Sequence, residues 1–551
     1  MITAFDYASP SVFESDRERA LVGVSANMRR PVRFHGRIIR NVPLFRFALR
    51  ALGEAIWSND MWLTQGEFGS WVLDPVITVH PDRLFFEAFS QDQSVYAMLV
   101  VSPEMFVAEG EVRTGTTNID FSAWLWAALN ELRSSRETWL RVGAQGFEVK
   151  TKGAGGRFEQ KVDLPNSWVR GFLQVSGAMA KPGTRLTAKA ADLLAAIRFL
   201  RYTKAKLSPR ALRYEFTPGE DARLVLEPWE HVVRLRGAEH NYTEPRTIRT
   251  WGRRRLSLIE PLLPFSLSVD VYLKGRSLPS FYAVKLPDMT FVLGLSGWTE
   301  QAWTGAGSYD LLSDDSSVRK ELIDQVHEHL VANFHASPKE MAVELRETPQ
   351  NVWHACERLC RQGRAIFDVE SRDFRHRELF EQPVDEAKMF PADERLELAR
   401  ALLANNAVPF ARCEPQETRK PKKLKTPEGP ITREIVYRDW RVTGNVGPDK
   451  TEIVVGDSGR IIFGTCTCAF FQNNLLAKGP CEHMIALFKT SADGRKDLPT
   501  SVPAVNAPTT NQKPQENEEE LEHKSEKNKE DFDEDDSNED NEGRQGLAAM
   551  D

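Results

Sequence analysis

Residues 464–488 read GTCTCAFFQNNLLAKGPCEHMIALF, and this stretch holds three of the chain's six cysteines. A histidine follows the third cysteine at two places' distance, so the pairs are Cys466/Cys468 and Cys481/His483. One residue between the members of a pair lets a tight turn aim both side chains into one volume. Gly464 before the first pair and Gly479-Pro480 before the second supply turn residues. Three thiolates and one imidazole make a closed tetrahedral donor set for zinc. With all four positions filled by protein there is no place for a reactive water, so the expected role is structural: one Zn2+ ion per chain. Six cysteines in 551 residues do not make a disulfide framework. In a reducing compartment such a cluster points to metal binding or catalysis instead.

The flanks of the cluster carry a consistent pattern. MIALFK after His483 reads as a helix. Upstream, IVYRDWRVTG and TEIVVGDSGRIIFGT read as strands, with turns at Gly447-Pro448 and Asp457-Ser458-Gly459. CTC…CEH set in strands and a following helix resembles the SWIM zinc finger family, over residues 436–490. Phe470-Phe471 after the first pair and the apolar helix after His483 fit that family as well. The resemblance implies zinc on Cys466, Cys468, Cys481 and His483, and contact with DNA or with proteins. Members of the family occur beside helicase-like ATPases, transposases and ubiquitin-type ligases. The chain has no GxxxxGK[ST], HExxH or GxSxG sequence. Phosphate-loop ATPase, HExxH metalloprotease and α/β-hydrolase chemistry therefore lack their signatures.

Residues 316–380 have a different texture. SVRKELIDQVHEHLVANF places Leu322, Ile323, Val326, Leu330 and Phe334 at helical spacing. Ser337 then caps a short helix with Pro338 in its first turn, and Thr348 caps a third helix that Gly363 ends. AIFDVESRDFRHREL reads as two strands around a polar turn. Three helices and a hairpin in this order resemble the winged helix-turn-helix superfamily. In that superfamily the third helix often enters the DNA major groove and the wing meets the backbone. The resemblance would turn Gln350, Asn351, His354, Arg358 and Arg361 outward, with Arg372, Arg375, His376 and Arg377 on the wing. Cys356 and Cys360, one helical turn apart, read as core residues rather than ligands.

Next come a helical segment and the basic run RKPKKLKTPEGP at 419–430. Its prolines discourage helix, so residues 381–435 read as helix plus linker. Lys422 and Lys423 in that run are candidates for phosphate contact.

Residues 1–310 contain no recognised motif but suggest a repeat. Pro103, Pro165, Pro228 and Pro287 each stand between apolar stretches, and each stretch is followed by a helix candidate. The expected unit is a β-hairpin plus helix used several times, giving an antiparallel sheet with helices on one face.

The formal net charge is −7, yet residues 516–542 hold fifteen acids and three lysines. Subtracting that segment's −12 leaves a body of +5. The tail from about 495 to 551 is Pro/Asn/Thr-rich and then acidic, a composition expected to be disordered. It would solubilise the chain, or compete with nucleic acid for the basic body. No run approaches the roughly 18 apolar residues of a membrane span. The N-terminus lacks a basic-then-apolar signal, so the expected location is the cytoplasm, with nucleoid association if DNA is bound.

The sequence therefore predicts an α+β multidomain chain. Its parts are a repeated region (1–310), a winged-helix-like segment (316–380), a helix and basic linker (381–435), a zinc finger (436–490) and an acidic tail (495–551). The expected function is non-enzymatic: a zinc-binding protein that binds DNA, or an adaptor that docks a partner such as a separate ATPase. An enzyme site in the N-terminal half is a third alternative, with no residues at a spacing that assigns chemistry.

Overall fold

The computed structural model describes residues 2–7, 11–27, 32–57, 75–90, 94–121, 123–143, 158–163, 166–203, 211–274, 279–296, 318–380, 384, 394–456, 461–475 and 480–491. All of them belong to one compact unit, residues 1–496. The acidic tail, Pro165, the turn at 457–459 and Gly479 lie outside the described residues. Among the described residues, no helix is long and apolar enough to cross a membrane.

The first half begins β1 (Ile2–Tyr7), β2 (Val12–Ser15), β3 (Arg19–Ser25), β4 (Phe34–Ile38), α1 (Val42–Trp57), β5 (Val76–Val79), β6 (Leu84–Phe89) and β7 (Val95–Val101). It continues β8 (Phe106–Ala108), β9 (Gly115–Asn118), α2 (Ala123–Ala128), β10 (Glu137–Gly143), β11 (Phe158–Asp163), α3 (Asn166–Ala180), β12 (Thr184–Ala188) and α4 (Ala190–Tyr202). It closes with β13 (Leu212–Phe216), β14 (Arg223–Leu226), β15 (His231–Arg234), β16 (Arg246–Thr250), β17 (Ser268–Leu273), β18 (Ser280–Leu286) and β19 (Met289–Leu295). The central feature is an eight-stranded antiparallel sheet, in the order β12-β17-β18-β19-β7-β6-β5-β9.

Side chains alternate across this sheet, but both faces are buried. Leu84, Phe86, Val95, Ala97 and Leu99 join α1 and α4 in one core. Phe85, Phe89, Tyr96, Met98 and Val100 join α3 and the residues beyond 320 in another. A strand covered on both sides loses its polar alternation, which is why 95–101 reads VYAMLVV. Helices thus cover two faces, not the single face expected from sequence.

The proline repeat is also corrected. Pro228 and Pro287 do lie in turns joining β14 to β15 and β18 to β19. Pro103 instead starts a short 3-10 turn. The stretch after Pro165 is α3 rather than a strand, with Val169, Phe172, Leu173 and Met179 buried at helical spacing. What recurs is a longer unit of strand, helix and three-stranded meander: β4-α1-β5-β6-β7 and β12-α4-β13-β14-β15.

Residues 318–380 form α5 (Lys320–Asn333), β20 (His335–Ala336), α6 (Pro338–Leu345), α7 (Pro349–Arg361), β21 (Ala365–Phe367) and β22 (Phe374–His376). The three strands pair as β20-β22-β21. Ser337 forms a complete capping box: its Oγ accepts from the Glu340 N–H at 3.2 Å, and the Glu340 carboxylate accepts from the Ser337 N–H at 2.9 Å. Thr348 caps α7 by accepting from the Asn351 N–H. Cys356 and Cys360 are buried, and burial raises both thiol pKa values. This segment has no separate core: Leu322, Val326, Met341, Val352 and Leu359 pack with Tyr96, Met98 and Phe172 of the sheet and α3.

The C-terminal part is α8 (Glu394–Ala404), β23 (Ala411–Thr426), β24 (Gly429–Val446), β25 (Asp449–Val455), β26 (Ile461–Cys466), α9 (Ala469–Asn474) and α10 (Glu482–Thr490). Its antiparallel sheet runs β23-β24-β25-β26. The basic run at 419–430 is therefore the far end of a long ribbon, not a linker. Pro415 and Pro421 are tolerated because β23 is an edge strand, where the missing N–H can face away from the ladder. The ribbon tip is anchored: Leu424 and Ile435 bury against Trp229, whose Nε1 donates to the Lys425 carbonyl at 2.9 Å. Arg433 in turn donates to the Trp229 carbonyl.

Candidate metal centre

Each of the four expected ligands has a defined local origin. Cys466 ends β26, and Cys468 is the N-cap of α9, where its sulfur accepts from the Phe471 N–H at 3.4 Å. Cys481 is the N-cap of α10, and His483 lies in that helix's first turn. Their ligand atoms all lie within 4.8 Å of one another. The three cysteines are buried and the His483 side chain is 12% exposed. Gln472 pins the bend between the first pair by donating from Nε2 to the Cys466 carbonyl at 2.7 Å.

The donor chemistry fits zinc. His483 Nε2 faces Asp449 Oδ2 at 3.4 Å, whereas Nδ1 is buried with no hydrogen-bond partner. One ring nitrogen reaches the three sulfurs, and carboxylates stand near both, Asp449 at Nε2 and Glu482 3.7 Å from Nδ1; a carboxylate beside the non-ligating nitrogen orients a metal-binding imidazole. Hydrogen bonding from the Cys481 thiol lowers Cys466 to about 5, and the same bond raises Cys481. Burial raises Cys468. The pocket thus already favours one thiolate, and a cation would replace the protons that the sulfurs otherwise share. Beneath the site, Met484, Ala486 and Leu487 of α10 pack with Val442, Ile453 and Val455 of the sheet and Ala399 of α8.

Asp449, Thr451 and Gln472 were not evident from sequence. Thr451 meets Cys466 only because β25 and β26 pair in that register. Asp449 follows the Gly447-Pro448 turn, and only the turn itself was readable.

His327, His376 and Glu378 form a second group with ligand atoms close together. Its hydrogen bonds are closed without a metal. His327 Nε2 meets Glu378 at 2.8 Å, Arg364 meets His327 Nδ1 at 2.9 Å, and the Arg364 guanidinium also reaches Glu378. A fixed cation already stands beside the carboxylate.

The residues expected to touch nucleic acid scatter. Gln350 and Asn351 are exposed at the start of α7, and Arg372 is exposed on a left-handed turn with φ 63°. His354 is half-buried beside Glu357, and Arg358 and Arg361 are half-buried, the latter next to Gly177 of α3. His376 is half-buried in the hydrogen-bonded group around Glu378. Arg375 and Arg377 are not on an exposed wing: both side chains are 1% exposed. Arg375 pairs with Asp368 and Asp82 at 2.8 Å. Arg377 donates to Glu87 at 2.7 Å and to Ser176 Oγ at 2.8 Å. They hold the segment against the large sheet. Lys422 and Lys423 lie on β23, half-buried and exposed respectively.

Residues 445–491 match the SWIM zinc finger family, and the matched span contains all four ligands. No curated protein matches the chain. Among solved structures, the chain is similar to the crystal structure of Proliferating Cellular Nuclear Antigen from Entamoeba histolytica, at 12% identity and a TM-score of 0.31. That alignment covers 49% of this chain and 100% of the other. The C-terminal module is a SWIM zinc finger whose Cys3His cluster fits one zinc ion.

Proposed function

We propose that this chain is a non-enzymatic DNA-binding protein in which zinc holds a basic ribbon module in shape. The observation that supports it best is the cation set on β23. Lys420, Lys422, Lys423 and Lys425 form no ion pair with any described residue, and they lie on the sheet that carries the metal site. Zinc supplies folding energy to β25, β26, α9 and α10, and so fixes the ribbon's root. The order of helices and hairpin in 318–380 supports a winged-helix reading. With Arg375 and Arg377 engaged inside the protein, the contacts left to that segment are Gln350, Asn351 and Arg372.

A salt titration of duplex DNA binding tests the proposal, on the full chain and on residues 1–496, the compact unit without the acidic segment. Each phosphate contact contributes roughly −0.9 to the slope of log K against log salt. Replacing Lys422 and Lys423 by Glu should flatten that slope by about 2. No binding of duplex or single-stranded DNA by either form at low salt would overturn it.

The second reading is an adaptor for a partner protein, such as a separate ATPase. Burial of the two wing arginines favours it, because it removes the contacts a winged helix makes with the DNA backbone. Recovery of one stoichiometric protein, insensitive to nuclease, from chains that fail the titration would establish that reading instead.

A further inference from the structure

The SWIM sheet has one covered face and one open face. Val442, Ile453 and Val455 point to α8 and α10. Strand registers place the opposite side chains in rows. Arg412, Thr443, Glu452 and Thr465 form one row, and Glu414, Arg441, Val454 and Phe463 the next. Asn445 and Lys450 start a third. Phe410, just before β23, borders this grid and is 72% exposed, while Phe463 is 50% exposed. Between Phe410 and the strands runs a groove of about 460 Å³, whose lining includes Phe410, Arg412, Thr443, Asn445, Lys450 and Glu452, the last with its carboxylate held by the Arg441 guanidinium at 2.8 and 3.1 Å.

We infer that this open face binds single-stranded nucleic acid, with bases stacked on Phe410 and Phe463 and phosphates held by Arg412 and Lys450. The inference rests on the nucleic-acid reading above and gives it a site and a ligand class. Exposed rings separated by Thr, Asn, Arg and Lys do not make the contiguous apolar patch that a protein interface buries. They do match unpaired bases, each of which has an apolar face to stack and polar edges to bond. A duplex keeps its bases stacked on one another and offers rings nothing to stack on. The hydroxyls of Thr443 and Thr465 and the Asn445 amide stand where base edges would lie. The local carboxylates do not close the site. Arg412 pairs with Glu414 at 2.5 Å, with the two side chains 68% and 44% exposed. A solvent-exposed pair of that kind gives way to a phosphate at little cost. Lys450 has no ion-pair partner among the described residues.

The test is fluorescence anisotropy of the full chain, and of residues 1–496, with labelled oligothymidylate of about 20 nucleotides, longer than one site of roughly 4–16. A duplex of the same length runs in parallel. Phe410→Ala and Phe463→Ala should each weaken oligothymidylate binding by about 5- to 100-fold. Both should leave the zinc content unchanged and duplex binding little affected. Arg412→Ala with Lys450→Ala should flatten the single-strand salt slope by about 1.4. Oligothymidylate binding that ignores both phenylalanine substitutions overturns the site. Duplex binding without single-strand binding overturns the ligand class and leaves the broader reading standing. Failure of both ligands at low salt removes both.

Discussion

Arg377→Met tests whether the chain just after β22 is buried against the large sheet. Arg377 and Glu87 are each 1% exposed and 2.7 Å apart, and Arg377 also donates to Ser176. Burial holds the Tyr96 hydroxyl well above its usual range, and Glu87's charge adds to that, so Tyr96 remains a donor to Glu87 at 2.8 Å. Methionine fills much of the arginine's volume but leaves Glu87 charged in a dry site with one hydroxyl partner. Breaking a buried pair from one side costs about 3–5 kcal/mol, against about 0–1 for an exposed one. A body of roughly 380 residues has an unfolding entropy of about 0.8 kcal/mol/K, so Tm should fall by about 4–6 °C. The double variant Glu87→Gln/Arg377→Met should recover much of that loss, because neither partner is then left charged and alone. Calorimetry on the three variants, with amide exchange in α5–α7 as a local probe, reads both effects. A fall of less than about 1 °C, or a double variant as damaged as the sum of its singles, would refute the buried pair.

Four further outcomes follow from the same structure. Metal analysis should return one zinc per chain, lost with unfolding of residues 445–491 in Cys466→Ser or His483→Ala. Asp449→Asn should keep the fold but weaken zinc binding roughly 10- to 100-fold in a chelator competition, and no change would remove Asp449 as the group orienting His483. Trp229→Ala should cost about 3–5 kcal/mol and raise amide exchange across the ribbon tip at 419–440; unchanged exchange there would contradict the anchor. His80 is lowered from 6.5 to about 4, first by burial and then by the charge of Arg375. Its folded pKa lies below its unfolded one, so stability is full above about 6.5 and falls by about 3 kcal/mol as pH drops toward 4. His80→Phe keeps a ring against Phe85 and Phe334 and should flatten that part of the stability profile; an unaltered profile would show that other groups carry it.

How much could be read in advance depended on the distance over which each feature is determined. The zinc ligands are close in sequence and chemically rare, so spacing alone assembled them. The caps at Ser337 and Thr348 are set by residues three places on, and they too were readable. Asp449 and Thr451 needed strand pairing before they had any meaning. Arg377 finds its acid 290 residues away, and Arg375 reaches Asp82 293 residues away as well as nearby Asp368, so their burial against the large sheet was not legible locally. The ribbon was mistaken for a linker because proline was read as a breaker, when an edge strand accepts it. The stretch after Pro165 was fitted to a strand because its neighbours were, although Val169, Phe172, Leu173 and Met179 carry the helical period.

The fate of the basic residues bears on function more directly than the +5 charge of the body. Many of the arginines have been drawn inside or tied to acids. Arg213 and Arg249 converge on buried Glu227, Arg375 on Asp368, and Arg377 on Glu87. A planar guanidinium with several fixed donors suits such sites, since it satisfies a carboxylate and a neighbouring acceptor together. The lysines of β23 are different: compact, hydrated charges on flexible stems, left on a ribbon whose root is set by the zinc finger and whose tip is pinned by Trp229. A ribbon held at both ends presents those charges at a constant spacing, and phosphate contact then does not incur the entropy of ordering the backbone. Net charge alone does not separate these two populations. Internal pairing removes the first from any ligand, and the proposed phosphate contact rests on the second.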